Sequence, residues 1–115
     1  MAALPEAIEG PVELRFTVRG KPLTWVWQER KGGRGRVPNP DVLAVRVSGE
    51  ARKEDLLALD AGMFFTEAHY DGYPAILVRL ASIDVELLGE LVRDAWRIQA
   101  PKALVRSWEG SPPSR

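Results

Sequence analysis

The chain has 115 residues, 45% of them hydrophobic and 28% charged, the proportions of one globular domain with room for a single core. Sixteen basic residues balance sixteen acidic ones, so no overall field steers a polyanion, and any nucleic-acid contact must come from a local basic patch. The lack of cysteine excludes disulfides and thiolate ligands, the single histidine excludes a multi-histidine metal site within one chain, and no apolar run nears the roughly 20 residues of a membrane span.

The first residues, Met1 to Pro5, have neither the basic nor the apolar stretch of a signal peptide, which points to the cytoplasm. Residues 2–9 read as mildly helical, interrupted by Pro5 and closed by Gly10-Pro11. From Leu14 to Arg19 the pattern alternates, with Leu14, Phe16 and Val18 on one face, and predicts a half-buried strand. Gly20-Lys21 turns into a second strand, Leu23 to Glu29, where the spacing puts Leu23, Trp25 and Trp27 on one face as core. Residues 30–40 hold three glycines and two prolines and read as an irregular loop. Arg30, Lys31, Arg34 and Arg36 make its start the densest like-charge cluster of the chain. Such a loop either follows phosphates or simply keeps the surface solvated.

Val42 to Val47 is a third strand, with Leu43, Val45 and Val47 facing one way. Ser48 is the expected N-cap of a helix to about Asp60, with Leu56 and Leu59 as its buried contacts and Gly62 as its stop. Met63 to Phe65 is extended. Thr66 to Tyr73 is a polar aromatic loop containing His69, Tyr70, Asp71 and Tyr73, with turn signals at Asp71-Gly72 and Tyr73-Pro74. Ala75 to Val78 is a buried strand, and Arg79 follows it either exposed or paired with an acid. Asp84 caps the longest helix, Val85 to Ala100, whose apolar stripe is centred on Leu88, Leu91, Val92 and Ala95. Pro101 precedes one or two helical turns over Lys102 to Ser107. The domain is expected to span residues 1–107, with 108–115 a disordered tail by composition.

No constellation demands catalysis. His69 and Asp71 form an acid/base pair only in principle, since no nucleophile accompanies them, and His69 reads as a loop hydrogen-bonder. Gly32, Gly33 and Gly35 fit neither a phosphate loop nor a dinucleotide fingerprint. No cofactor or metal is expected.

Several short motifs resemble the MmcQ/YjbR family: Thr66, His69-Tyr70, Gly72-Tyr73-Pro74, Leu77 to Leu80, Ala95-Trp96-Arg97 and Ala100-Pro101-Lys102. Phe16, Val18 and Arg19-Gly20-Lys21 are similar to that family's first hairpin. The resemblance covers about residues 4 to 104 and is most specific in the second half. It implies a CyaY-like α+β fold, a twisted antiparallel sheet with helices packed on one face. It also implies DNA binding through a double wing, and no enzymatic activity. Two features depart from the family: its full N-terminal helix has no counterpart before Leu4-Pro5, and the loop at 30–37 is more basic and glycine-rich.

The expected function is therefore DNA binding, with Lys31, Arg34, Arg36, Arg97 and Lys102 on phosphates and His69, Tyr70, Tyr73 and Arg79 as a stacking or ligand surface. The alternative is a protein- or small-ligand-binding module using the His69–Tyr73 aromatic surface without nucleic acid. No membrane contact is expected. With only residues 1–9 in place of a third helix, the groove above the first strands is expected to close by self-association or by side chains of that segment. The chain is then a monomer or a weak homodimer.

Overall fold

A computed structural model describes residues 4–30 and 35–110. Six strands form one antiparallel sheet: β1 (Ala7–Glu9), β2 (Phe16–Val18), β3 (Lys21–Arg30), β4 (Arg36–Arg46), β5 (Phe64–Phe65) and β6 (Ala75–Arg79), in the order β1-β2-β3-β4-β6-β5. Three helices, α1 (Glu50–Leu59), α2 (Val85–Gln99) and α3 (Lys102–Gly110), pack on one face of it. The fold is α+β, as the family resemblance implies.

The helix-covered core is fed by the expected stripes. Leu43, Val45 and Val47 of the β4 stretch, and Ile76 and Val78 of β6, meet Leu91, Val92, Ala95 and Trp96 of α2. Asp84 caps α2 as expected, its carboxylate accepting from the Leu87 N–H at 2.7 Å. Three local expectations are corrected. First, α1 starts on Gly49, with no side-chain cap from Ser48. Second, Leu59 is 64% exposed, and Leu57 packs in its place. At 100° per residue Leu59 points about 120° away from Lys53, whose direction α1 turns inward. Third, α3 continues past Ser107 to Gly110, because Leu104, Val105 and Trp108 give it an apolar stripe against the core.

The N-terminal segment is a strand where a helical turn was expected. Its Ala7–Glu9 stretch pairs with β2, and Leu4 is buried in the main core. The Trp96 indole donates to the Pro5 carbonyl at 2.9 Å. Leu4, with Leu104, Val105 and Trp108 of α3, packs into the same core as Phe16 and Val18, so the N-terminal segment does supply side chains there, one of the two expected closures.

Two register shifts shape the rest. Phe16 faces Thr24 and Thr17 faces Pro22, so Leu23 is an extra residue on β3. This bulge sends Leu23 into the helix-covered core and Trp25 and Trp27 to the other face, correcting the expectation that all three share one side. Further along, Val26 faces Leu43 while Trp27 faces Asn39, leaving Pro40, Asp41 and Val42 without partners on β3. Beyond that shift, Trp27–Arg30 and Arg36–Asn39 pair only with each other. They form a two-stranded ribbon at residues where the prolines predicted irregular chain. Pro38 and Pro40 fit because this part of β4 has a neighbour on one side only and needs no donor on the other. Among the described residues no helix is long and apolar enough to cross a membrane.

Candidate aromatic binding face

The sheet face away from the helices is lined by small residues at its centre and aromatic ones around them. Val42 and Ala44 of β4, with Ala75 and Leu77 of β6, form a floor. Tyr70, Trp25, Trp27 and Phe65 pack on it. The chain reaches Tyr70 through a single 3-10 turn, Ala68–Tyr70, followed by Gly72 at φ +76, a conformation that favours glycine. Lys53 fixes this loop from α1. It is only 2% exposed, and its ammonium donates to the carbonyls of Tyr70 at 2.6 Å and Tyr73 at 3.0 Å. Glu50 adds a contact at 3.6 Å.

The polar tips of the aromatic residues are tied together. The Trp25 indole donates to the Tyr70 hydroxyl at 3.0 Å. The Trp27 indole donates to Glu67 Oε2 at 2.7 Å, and Arg36 Nη1 reaches the same oxygen at 3.0 Å. Burial alone would raise the Glu67 pKa, but those two hydrogen bonds together with the nearby Arg36 charge hold the carboxyl below its ordinary value. Burial raises the Tyr70 phenol, against the opposing Trp25 hydrogen bond. Both groups are therefore held in their ordinary neutral-pH states, Glu67 as carboxylate and Tyr70 as phenol. Edge-on ring contacts run from Trp25 to Tyr73 at 6.3 Å and from Tyr70 to Tyr73 at 6.1 Å. His69 lies edge-on to Tyr70 at 5.5 Å.

Two open hollows flank Trp25 and Tyr73. One, of about 430 Å³, is lined by Trp25, His69, Tyr70 and Tyr73. The other, of about 380 Å³, includes Val12, Arg15, Trp25, Val26, Gln28 and Tyr73. Arg79 sits at the far edge. It is exposed, its guanidinium lies 4.1 Å from the Phe65 ring centroid, and among the described residues it makes no ion pair. Of its two expected states, the structure has the exposed one.

Residues 2–98 match the YjbR family. The chain belongs to the YjbR family. It is 45% identical over 100 residues to the uncharacterized protein Mb2600 of Mycobacterium bovis and to the uncharacterized proteins MT2646 and Rv2570 of Mycobacterium tuberculosis. Each alignment covers 81% of this chain and 78% of the relative. No solved structure matches.

In this YjbR chain the motif from Thr66 to Pro74 is the aromatic loop itself. Ala95-Trp96-Arg97 lies on α2, and Ala100-Pro101-Lys102 forms the bend into α3. The structure thus gathers His69, Tyr70, Tyr73 and Arg79 along one face, and brings Arg36 to them through Glu67. Arg97 and Lys102 stand apart, in the helix layer. Arg97 is held by Asp94 at 3.0 Å and by Glu109, and faces the Trp108 ring. Lys31 and Arg34 lie outside the described residues. Sequence reasoning missed Lys53, Glu67 and the outward placement of Trp25 and Trp27. Only the two tryptophans gave a signal, their i, i+2 spacing. Nothing in the sequence marks the bulge that redirects them.

Proposed function

We propose that this chain is a non-enzymatic nucleic-acid-binding module with DNA as its partner. In this reading the β3–β4 ribbon presents cations to phosphates, and the aromatic face at its base takes unstacked bases. One observation carries it: ribbon and aromatic loop are a single bonded unit. Trp27 and Arg36 on the ribbon both donate to Glu67, which opens the loop bearing His69, Tyr70 and Tyr73. Stacking of a base on an aromatic side chain contributes about 1–3 kcal/mol and tolerates any sequence. Arg36 is already answered by Glu67. Phosphate contacts therefore fall to Arg30, exposed on the ribbon, and to Lys31 and Arg34, which follow it in sequence. Arg97 and Lys102, on the helix side, take no part in this contact.

A second reading, without nucleic acid, draws on the hollow beside Arg15. Its volume of about 380 Å³ suits a small ligand, since such sites span roughly 300–1,000 Å³. Two aromatic rings and one guanidinium fit a planar anion. Titrations of single- and double-stranded DNA at several salt concentrations separate the two readings. The first expects log K to fall linearly with log salt. Replacing Arg30 and Arg34 by alanine flattens that slope by about one per lost contact, whatever the base sequence. No DNA binding even at low salt removes the first reading and leaves the second.

A further inference from the structure

On the helix side, three arginines from three elements converge on one hollow of about 220 Å³. Arg46 comes from the end of β4, Arg52 from the first turn of α1 and Arg97 from α2. Ser48 and Asp94 complete the polar wall, and Leu91 and Ile98 supply apolar surface. The chain has zero formal net charge, so three guanidiniums on a single hollow, against Asp94 on its wall and the Glu109 that pairs Arg97, leave a local excess of positive charge. Arg97 is engaged by Asp94 and Glu109. Arg46 spends its Nε on the carbonyl of Val47 at 3.1 Å, which leaves both terminal nitrogens. Among the described residues neither Arg46 nor Arg52 makes an ion pair. Both are only half-exposed, so their charges sit where water screens them less than on an open surface. Guanidiniums on the wall of one hollow supply the charge-assisted, forked donors that a phosphate-type oxyanion accepts.

We infer that this hollow is a binding site for a compact, doubly charged oxyanion of the phosphate type, free or as the end group of a small phosphoester. Arg46 and Arg52 are the binding cations. Arg97, oriented by Asp94, closes the third side, and the Ser48 hydroxyl is an added donor. The hollow is far too small for a duplex and lies across the sheet from the aromatic face. The site is therefore independent of the nucleic-acid reading and stands or falls without it.

The test is a titration of the full chain with inorganic phosphate at low ionic strength, followed by backbone amide NMR, with glycerol phosphate as a second arm. Saturable shifts confined to residues 46–52 and 94–98 are expected. A preference for glycerol phosphate would identify the phosphoester as the better ligand. In variants that keep the wild-type melting profile, Arg52→Gln and Arg46→Gln each weaken binding by about ten-fold or more, the effect of one lost charge-assisted hydrogen bond. Asp94→Asn removes the only carboxylate of the wall and tightens binding, an outcome that a purely structural role for the arginines does not produce. Linear, non-saturating shifts in the wild-type protein, or binding indifferent to both arginine variants, would overturn the assignment.

Discussion

Each face of the sheet holds two of the four tryptophans, and the two pairs are anchored differently. On the helix side Trp96 is fully buried, donates to the backbone carbonyl of Pro5, and lies 5.0 Å edge-on from Trp108. Its partner is the chain itself, so its position follows from the fold. On the opposite face Trp25 and Trp27 are half-exposed and donate to side chains, the Tyr70 hydroxyl and the Glu67 carboxylate. Those partners sit on one loop, and that loop is held by Lys53. One face is thus a core in which polar atoms serve packing. The other is a surface in which packing serves to present polar tips and ring edges.

The comparison can be broken at four points, in falling order of effect. Trp96→Ala should cost about 3–5 kcal/mol in urea melts, since it opens a large cavity and also strands the Pro5 carbonyl. A loss under about 1 kcal/mol would mean that the helix side is not the core described. Lys53→Met keeps the volume but leaves the Tyr70 and Tyr73 carbonyls without their donor, at about 1–3 kcal/mol. Hydrogen exchange should then quicken in residues 67–74 while β6 and α2 stay protected; uniform quickening would contradict the loop-clamp role.

Glu67 gives a pH test. Its folded pKa lies below the ordinary 4.5, so its contribution is present above about pH 4.5 and is lost as pH falls through the folded value. In acid melts Glu67→Gln should be less stable than wild type at neutral pH. The difference should shrink below pH 4.5, and parallel curves would deny the Trp27–Glu67–Arg36 link. The smallest effect belongs to Arg79→Ala, where one exposed cation over Phe65 is removed, at about 0.5–1 kcal/mol. A loss of several kcal/mol would reveal a buried partner that is absent among the described residues.

Much of this architecture is legible in the sequence wherever a period decides it. The stripe Leu88, Leu91, Val92, Ala95 belongs to a helix, and the both-sided burial of Ala75 to Val78 belongs to a central strand. Failures fall where one residue breaks the period. Leu23 as a bulge reverses the faces of β3, and periodicity has no means of marking an inserted residue. Pro38 and Pro40 look like breakers until the one-sided pairing of the ribbon is known. Leu4 joins the core next to Pro5, whose carbonyl accepts from Trp96 91 residues away, a link that no local pattern carries. The candidate site is half legible for the same reason. Glu67, His69, Tyr70 and Tyr73 are close in sequence, whereas Lys53 and Arg36 join them only through tertiary structure.

If the aromatic face and its ribbon are the working surface, the four indole N–H signals read this directly. In a titration with a short single-stranded oligonucleotide at low salt, the Trp25 and Trp27 signals should shift and saturate together. Those of Trp96 and Trp108 should stay in place, and raised salt should reverse the change. Movement of Trp96 and Trp108 alone, or no movement of any indole at the lowest salt, would contradict it.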